Sequence, residues 1–146
     1  MTTDVKTCRP DTNAADAVRM MWEHDCGVLP VVNDAGRVVG MVTDRDIGIA
    51  VGTRRCLAEE IRVSELITGR VYTCNPDEDA ASALETMRIR QVRRLPVLDA
   101  DGGLVGILSI NDIVLRAGAA PSKQIVSALA GICERPLERT LKGAAA

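Results

Sequence analysis

The feature that most constrains the fold is an internal repeat. A shift of 66 residues lays residues 5–52 over residues 71–118 without a gap, and 18 of the 48 paired residues are identical. "VKTCRPDTNAADAVRMM" lies over "VYTCNPDEDAASALETM", and "LPVVNDAGRVVGMVTDRDI" lies over "LPVLDADGGLVGILSINDI". Ungapped agreement over this length predicts two copies that fold alike and pack together about a pseudo-twofold axis.

Each copy begins with the pattern of a short extended segment and a helix. The extended segments are Val5–Cys8 and Val71–Cys74, each followed by a proline at position 10 or 76. Asn13 and Asp79 are predicted to cap the helices, because their side-chain oxygens can accept the free amides of a first helical turn. Apolar residues then recur at helical spacing, and they are Ala14, Ala17, Val18 and Met21 in copy 1 and Ala80, Ala83, Leu84 and Met87 in copy 2.

Two strands and a second helix complete each copy. The predicted strands are Val28–Val32 and Val38–Val42, and then Arg94–Leu98 and Leu104–Leu108. The strands are separated by "NDAG" and "DADGG", which are typical turn sequences. The second helix begins at Thr43 or Ser109. The order β-α-β-β-α, written twice, predicts an α+β fold.

The repeat divides the chain into four parts. They are repeat 1 (1–52), a charged bridge (53–70) with a short predicted helix at Val63–Ile67, repeat 2 (71–118), and a C-terminal helix and tail (119–146). Pro121 and Ser122 mark the start of this last helix. Its apolar stripe either covers the repeat core or contacts another subunit, and it consists of Ile125, Val126, Leu129, Ile132 and Cys133.

Composition excludes several classes of function. Trp22 and Tyr72 are the only aromatic residues, whereas proteins that bind single-stranded nucleic acid use aromatic side chains to stack bases. The net charge of −2 and the isoelectric point near 5.4 also argue against a nucleic acid partner. No apolar run is long enough to cross a membrane and no signal segment is present, so we expect a cytoplasmic protein.

The five cysteines are widely spaced and form no C-x-x-C pair, so neither a metal site nor a disulfide framework is expected. Cys8 and Cys74 occupy equivalent positions in the two copies. We expect both to be buried apolar residues rather than reactive thiols.

The phrases "GMVTDRDI" and "GILSINDI" have two interpretations. Thr43 and Asp46, and likewise Ser109 and Asp112, have capping-box spacing, which requires no ligand. A helix N-terminus after a strand can also bind an anion, and an aspartate can accept two hydrogen bonds from a ribose diol.

Together these motifs resemble the cystathionine-β-synthase (CBS) domain, and the chain resembles a stand-alone bacterial CBS pair, or Bateman module. "VLPVV" and "RLPVL" followed by "GMVTDRD" and "GILSIND" match the family's Gly-x-x-Thr/Ser-x-x-Asp nucleotide motif in both copies. The likeness covers residues 5–118. It implies two clefts between the repeats, each binding an adenosyl ligand such as AMP, ATP or S-adenosylmethionine, with no obligatory cofactor.

Carried onto this sequence, the resemblance assigns two sets of ligand-binding residues. One site joins Gly106, Ser109, Asn111 and Asp112 to Thr7, Pro10, Val28, Leu29 and Pro30. The other joins Gly40, Thr43, Arg45 and Asp46 to Thr73, Asn75, Pro76, Arg94, Leu95 and Pro96. In this assignment the aspartates hold ribose, the hydroxyls hold a phosphate, and apolar side chains and backbone hold adenine.

The two sites are not expected to bind alike. Arg45 and Arg94 fall together in the second site, whereas Asn111 and Val28 take their places in the first. Arginine suits phosphate, so we predict that the second site binds phosphate better. Arg93 and Arg94 together could equally be a solvated strand edge. Met1 and Thr2 align with Ile67 and Thr68, so copy 1 is expected to lack a leading helix.

The leading hypothesis is a regulatory module without catalytic activity. His24 is the only histidine, no residues form a catalytic set, and a helix-end histidine is usually a surface residue. The alternative is a ligand-free module for structure or protein interaction. The family resemblance also implies a homodimer of CBS pairs with helices at the interface, and a signal passed to a separate downstream protein.

Overall fold

A computed structural model describes residues 1–67, 70–116 and 121–134. Its helices and strands confirm the α+β class and the repeated order helix, strand, strand, helix. Copy 1 contains α1 (Ala14–Glu23), β1 (Val28–Val32), β2 (Val38–Thr43) and α2 (Asp44–Arg54). Copy 2 contains α3 (Ala80–Arg90), β3 (Arg94–Leu98), β4 (Leu104–Ser109) and α4 (Ile110–Leu115), and α5 (Ser122–Cys133) follows.

The strands form two small sheets. β1 and β2 pair antiparallel, with Val28 opposite Thr43 and Val31 opposite Gly40, and β3 and β4 form the second two-stranded sheet. The extended segments predicted before each helix are shorter than expected. Each touches its sheet through one parallel bridge, Cys8 to Val31 or Cys74 to Val97, since the chain reaches a proline two residues later and loses a backbone donor there.

Both hairpin turns are closed by an Asx residue and a glycine. The Asn33 side chain accepts hydrogen bonds from the amides two and four residues later, at 3.1 and 2.9 Å, and Asp99 does the same at 3.0 and 2.7 Å. Gly36 and Gly102 have φ of 72° and 77°, a left-handed conformation that favours glycine. The turn chemistry read from the sequence is therefore confirmed.

Backbone contacts group the chain into two compact units. The first consists of Met1–Pro76 and Pro96–Ile107, and the second of Asp77–Leu95 and the described part of Leu108–Ala146. In the first unit, α1 packs against β1 and α2. The Asn13 side chain caps α1 as predicted, accepting a hydrogen bond of 2.8 Å from the Asp16 amide.

The bridge between the repeats helps to build the core of the first unit. Ile61 and Val63 are almost fully buried, the Ile61 carbonyl accepts from the Ala14 amide at 2.8 Å, and the Val63 amide donates to the Thr12 carbonyl at 2.9 Å. The helix predicted at Val63–Ile67 is a single 3-10 turn, Val63–Glu65. The turn is held because the amides of Val63 and Ser64 donate to the carbonyls of Thr12 and Pro10, in the segment before α1, each at 2.9 Å.

In the second unit, α5 packs against α3. A Cβ added at Gly131 would lie 2.5 Å from Arg88 Cγ, so the two helices approach closely through a residue without a side chain. The Gln91 side chain donates to the carbonyls of Gly131 and Glu134, at 3.3 and 2.8 Å. This contact supports the prediction that α5 covers part of the repeat.

Two sets of apolar positions are exposed within the chain, and one predicted cap is wrong. Val126 and Leu129 of the predicted α5 stripe are 65% and 39% exposed, because the close approach to α3 is made through Ala128 and Gly131. Val18 is 41% exposed, because no described element covers it in the first unit. Asp79 precedes α3 without a side-chain cap hydrogen bond. Within the three described ranges, no helix has the length and apolar character needed to cross a membrane.

Candidate functional site

The two repeated phrases fold into the same capping box. The Thr43 hydroxyl donates to Asp46 Oδ2 at 2.7 Å, and the Thr43 amide donates to the same oxygen at 3.1 Å. The Asp46 amide donates back to the Thr43 hydroxyl at 3.1 Å. The equivalent distances for Ser109 and Asp112 are 2.5, 2.8 and 3.2 Å. The predicted helix starts are confirmed.

This arrangement fixes each carboxylate at the junction of a strand and a helix. Thr43 ends β2 in an extended conformation, with φ −116° and ψ 159°, so its side chain faces the first turn of α2. Asp46 is half-buried, and its Oδ2 accepts the two cap hydrogen bonds from Thr43. Its second oxygen, Oδ1, accepts no hydrogen bond from the described residues, and it therefore remains available as an acceptor in a fixed position.

The environment of Asp112 favours its charged form. Partial burial works to raise the pKa of this carboxyl, but hydrogen bonds donated by the Ser109 hydroxyl and amide are among the interactions that outweigh burial. The pKa of Asp112 is therefore lowered from its ordinary value. At neutral pH the carboxylate is an anionic acceptor, as binding to a diol requires.

The glycines of both phrases are required by a close neighbour. A Cβ added at Gly40 would lie 2.7 Å from Ile67 Cβ. A Cβ added at Gly106 would lie 2.9 Å from Met1 Sδ and 3.0 Å from the Thr2 carbonyl oxygen. Thr2 forms an antiparallel bridge with Ile107, so Met1 and Thr2 pack beside the second glycine much as Ile67 packs beside the first.

The apolar residues assigned to the ligand are mostly core residues. Leu29 and Leu95 are fully buried, as are Pro30 and Pro96, and Val28 is 8% exposed. Their side chains are occupied by packing within the protein. These five residues can therefore contact a ligand only through their backbone atoms. Two of those atoms are already bonded, because the carbonyls of Pro30 and Pro96 accept hydrogen bonds of 3.0 Å from the amides of Cys8 and Cys74.

The arginines singled out from the sequence are all exposed. Arg45 lies in the first turn of α2, and Arg93 and Arg94 lie at the start of β3. None of these three side chains forms a hydrogen bond or ion pair within the described ranges. They are free to meet an anion, and the exposure of Arg93 and Arg94 equally fits the alternative of a solvated strand edge.

The remaining predicted residues lie on the segments before the helices and at the start of α4. Thr7 and Pro10 are half-buried, and Thr73, Asn75, Pro76 and Asn111 are exposed. Of the residues assigned to the second site, all but Arg94 and Leu95 belong to the first compact unit. Of those assigned to the other site, Ser109, Asn111 and Asp112 belong to the second unit and the rest to the first.

One contact near the sites was not predicted from the sequence. A Cβ added at Gly27 would lie 3.1 Å from Asp44 Oδ2, and the Asp44 amide donates to the Gly27 carbonyl at 3.3 Å. In copy 2 the equivalent residues are Arg93 and Ile110, joined by the same backbone bond at 3.0 Å. Both residues of the pair differ between the copies, and this joint difference in the sequence could have indicated that the two residues are in contact.

The two equivalent cysteines and the histidine lie where the sequence predicts. Cys8 and Cys74 are buried, and burial raises the pKa of Cys8 to about 11, which suits an apolar packing residue. His24 is exposed at the end of α1. The described residues contain no group of three or more His, Cys, Asp or Glu side chains placed to hold a metal ion.

Comparison with known proteins places these features in context. The family model described as "CBS domain" matches residues 1–51 and 63–118. The CBS domain-containing protein YhcV of Bacillus subtilis is 35% identical over 116 residues, which are 80% of this chain and 81% of that protein. The chain spans only 21% of the inosine-5'-monophosphate dehydrogenase of Mycobacterium tuberculosis, to which it is 34% identical over 114 residues.

Two solved structures are similar in fold. Hypoxic Response Protein I, solved with two coordinated zinc ions, has a TM-score of 0.71 and 32% identity over 80% of this chain and 93% of that one. The CBS domain pair of protein MJ0100, in complex with 5'-methylthioadenosine and S-adenosyl-L-methionine, has a TM-score of 0.72 and 25% identity. That match covers 80% of this chain and 94% of that one.

Proposed function

Because this chain belongs to the CBS domain family, we propose that it is a regulatory module that binds an adenosyl ligand and performs no chemistry of its own. The observation that carries the proposal is the duplicated capping box, which holds Asp46 and Asp112 by the same hydrogen bonds. The complex of the MJ0100 pair with two adenosyl compounds supports the choice of ligand class.

The aspartates are proposed to bind the ribose. A vicinal diol presents two hydroxyl donors, and a carboxylate is a pure acceptor. Asp46 Oδ2 is fixed by Thr43, while Oδ1 has no partner in the described ranges. Because the cap fixes the side chain before the ligand arrives, binding costs little side-chain entropy.

The phosphate groups are proposed to lie near the hydroxyl residues, Thr43 and Ser109. The first turn of α2 adds the positive end of a helix dipole, and Arg45 adds a charged donor. For adenine, the backbone of the segments around Thr7, Pro10, Thr73 and Asn75 and of the two "LPV" strands would supply the contacts, because the leucine and proline side chains of those strands are buried.

Unequal binding at the two sites is the first testable consequence. Arg45→Asn copies Asn111 into the first repeat and removes a charge-assisted hydrogen bond to phosphate. We expect the affinity for ATP to fall roughly 10-fold at the site of Asp46, with little change for an adenosyl ligand without phosphate. Isothermal titration with ATP and with S-adenosylmethionine measures both. Equal losses for the two ligands would contradict a phosphate role for Arg45.

The ligand class is tested by titrating the wild-type protein with AMP, ATP, NAD and S-adenosylmethionine. We expect saturable binding of at least one of them, with a rise in melting temperature, since a ligand that binds only the folded state stabilises it. No saturable binding below millimolar concentration, together with an unchanged melting temperature, would favour the second candidate, a module for protein interaction. The exposed Trp22, 85% accessible, is the observation that keeps that candidate open.

A further inference from the structure

In each copy, the second helix begins beside the residue that precedes the first hairpin strand, and this pair of residues differs between the copies. In copy 1 the pair is Gly27 and Asp44, joined by a backbone hydrogen bond of 3.3 Å from the Asp44 amide to the Gly27 carbonyl. In copy 2 the pair is Arg93 and Ile110, joined by the same bond at 3.0 Å. We call these pairs the copy 1 junction and the copy 2 junction. Each lies wholly within one compact unit.

The Asp44 carboxylate is held on one side and open on the other. Its Oδ1 accepts a hydrogen bond of 2.7 Å from the Arg45 amide. Its Oδ2 leans over Gly27, where an added Cβ would lie 3.1 Å away. Asp44 is exposed, and no cationic side chain of the described ranges forms an ion pair with it. Gly27 therefore leaves the space beside Oδ2 open, and the copy 1 junction carries a negative charge without a partner in those ranges.

The copy 2 junction has the opposite charge. Ile110 stands in place of Asp44 and is 6% exposed, and the exposed Arg93 stands in place of Gly27. An aspartate in a first helical turn suits the helix dipole, but this explains neither the glycine beside Asp44 nor the arginine in the other copy. Both replacements move the charge in the same direction, which points to a ligand group that the two junctions meet differently.

The ligand group next to the copy 1 junction is the phosphate of the proposed function, on which this inference rests, because Asp44 directly follows the hydroxyl residue Thr43. A carboxylate repels a phosphate, and a unit charge about 4 Å away changes affinity by about fivefold even in bulk water. A divalent cation between the two groups reverses the effect. Proteins typically hold Mg²⁺ by one or two carboxylates together with the phosphates of a nucleotide.

We infer that Asp44 is a specificity-determining residue of the site at Thr43 and that it selects a nucleotide as its Mg²⁺ complex. Asp44 Oδ2 binds the ion, directly or through a water molecule, and Arg45 donates to the phosphate oxygens that the ion leaves free. One carboxylate supplies too few ligands to hold Mg²⁺ alone, so the ion arrives with the nucleotide. At the copy 2 junction, the Arg93 guanidinium meets a phosphate directly, and that copy needs no metal ion.

Metal dependence at one site is measured in the Asp112→Ala background, which removes the aspartate of the other site. Isothermal titration with ATP is carried out in excess Mg²⁺ and again in EDTA, with adenosine as the uncharged control ligand. We expect ATP to bind at least about fivefold more tightly with Mg²⁺ than in EDTA, and adenosine to bind equally in both. ATP affinity that is equal in both, or higher in EDTA, would overturn the inference and leave the proposed function in place. No binding of either ligand to the wild-type protein in either buffer would overturn both.

Asp44→Asn in the same background tests the residue itself. Loss of the charge should raise the affinity for ATP in EDTA by about fivefold and abolish the advantage of Mg²⁺, with adenosine binding unchanged. Gly27→Arg with Asp44→Ile copies the copy 2 junction into copy 1, and this double variant should bind ATP in EDTA more tightly than Asp44→Asn does. An advantage of Mg²⁺ that persists in both variants would assign the ion to another residue and refute the role of Asp44.

The matched control removes the same charge at the opposite end of the copy 1 hairpin. Asp101 is exposed, and its carbonyl accepts a hydrogen bond from the guanidinium of Arg37 in the copy 1 turn. The length of β1 separates that turn from the copy 1 junction by roughly 16 Å, which exceeds the Debye length of about 10 Å at 0.1 M salt. Asp101→Asn should therefore keep the full Mg²⁺ effect, and circular dichroism checks that every variant is folded. A Mg²⁺ effect that falls as much in this control as in Asp44→Asn would show that net charge alone acts and would refute the assignment.

Discussion

Among single residues, the glycines of the two repeated phrases show most clearly what each position requires. Gly40 leaves room for the side chain of Ile67, and Gly106 leaves room for Met1 and the backbone of Thr2. The family motif therefore begins with a residue whose role is packing. Its first chemically active member is the hydroxyl residue that follows.

The first prediction at this scale concerns Gly40→Ala. The added methyl group would lie 2.7 Å from a branched carbon of Ile67, so the variant should lose about 1–3 kcal/mol of free energy of unfolding through overpacking. Gly48→Ala on the open face of α2, where nothing lies within 4 Å, should instead gain up to about 1 kcal/mol. Urea denaturation compares the two. A stable Gly40→Ala variant would show that Ile67 does not pack there.

The second prediction concerns pH and Asp112. Its pKa is lower in the folded protein than its ordinary value, so the carboxylate stabilises the fold above the unfolded pKa, about 3.9, and this contribution is lost as the pH falls through the folded pKa. The stability gap between the wild type and Asp112→Asn should therefore be widest near neutral pH and close on acidification. Urea denaturation at a series of pH values measures it, and a gap independent of pH would contradict the account.

At the scale of elements, the first helices of the two repeats, α1 and α3, differ in what covers them. α3 is covered by α5, which leaves Leu84 2% exposed, whereas the equivalent Val18 on α1 is 41% exposed. The close approach at Gly131 and the cap supplied by Gln91 make α5 part of the second unit. α5 therefore makes one copy structurally different from the other.

The contact between α3 and α5 is tested by Gly131→Leu. The new side chain would collide with Arg88, 2.5 Å from the position of its Cβ, so α5 should detach. Trypsin should then cleave after Lys123, in the first turn of α5, at least several times faster, because proteolysis follows local unfolding. Ala130→Leu on the exposed side of α5 is the control. Equal cleavage rates for the two variants would mean that α5 does not dock through Gly131.

The elements could be predicted well because the repeat provides each pattern twice. The capping boxes at Thr43 and Ser109 and the strands around both "LPV" sequences follow from local chemistry, and the structure bears them out. The exposure of Val126 and the close approach at Gly131 could not be predicted. Both depend on which face of α5 meets α3. The spacing of hydrophobic residues alone predicts that the large residues face α3, whereas it is the small residues that fit against that helix.

For the whole molecule, the difference between the copies matters as much as their likeness. The repeat supplies two aspartates that share the same cap hydrogen bonds, and the N-terminal amino group also bonds to Asp112 alone. Substitutions around them make the copies unequal as well, with Arg45 in place of Asn111, and with Gly27 and Asp44 in place of Arg93 and Ile110. The set of ligand contacts could be assigned only through the family resemblance. It joins segments that are distant in sequence, and their spacing carries no local signal.

The central claim is that the capping aspartates bind the ligand in addition to starting a helix. Asp16 provides a matched control outside the family motif, because its carboxylate accepts a hydrogen bond of 2.7 Å from the side-chain amide of the N-cap residue Asn13, and its own backbone amide donates to Asn13 Oδ1 at 2.8 Å. Replacing any of these aspartates by alanine should cost about 1 kcal/mol of stability.

The most direct test is isothermal titration of three folded proteins with the adenosyl ligand that binds the wild type best. We predict that Asp46→Ala with Asp112→Ala abolishes binding, while Asp16→Ala binds as the wild type does despite a similar loss of stability per cap. Unchanged affinity in the double variant would contradict the account, and it would reduce both repeated phrases to helix starts.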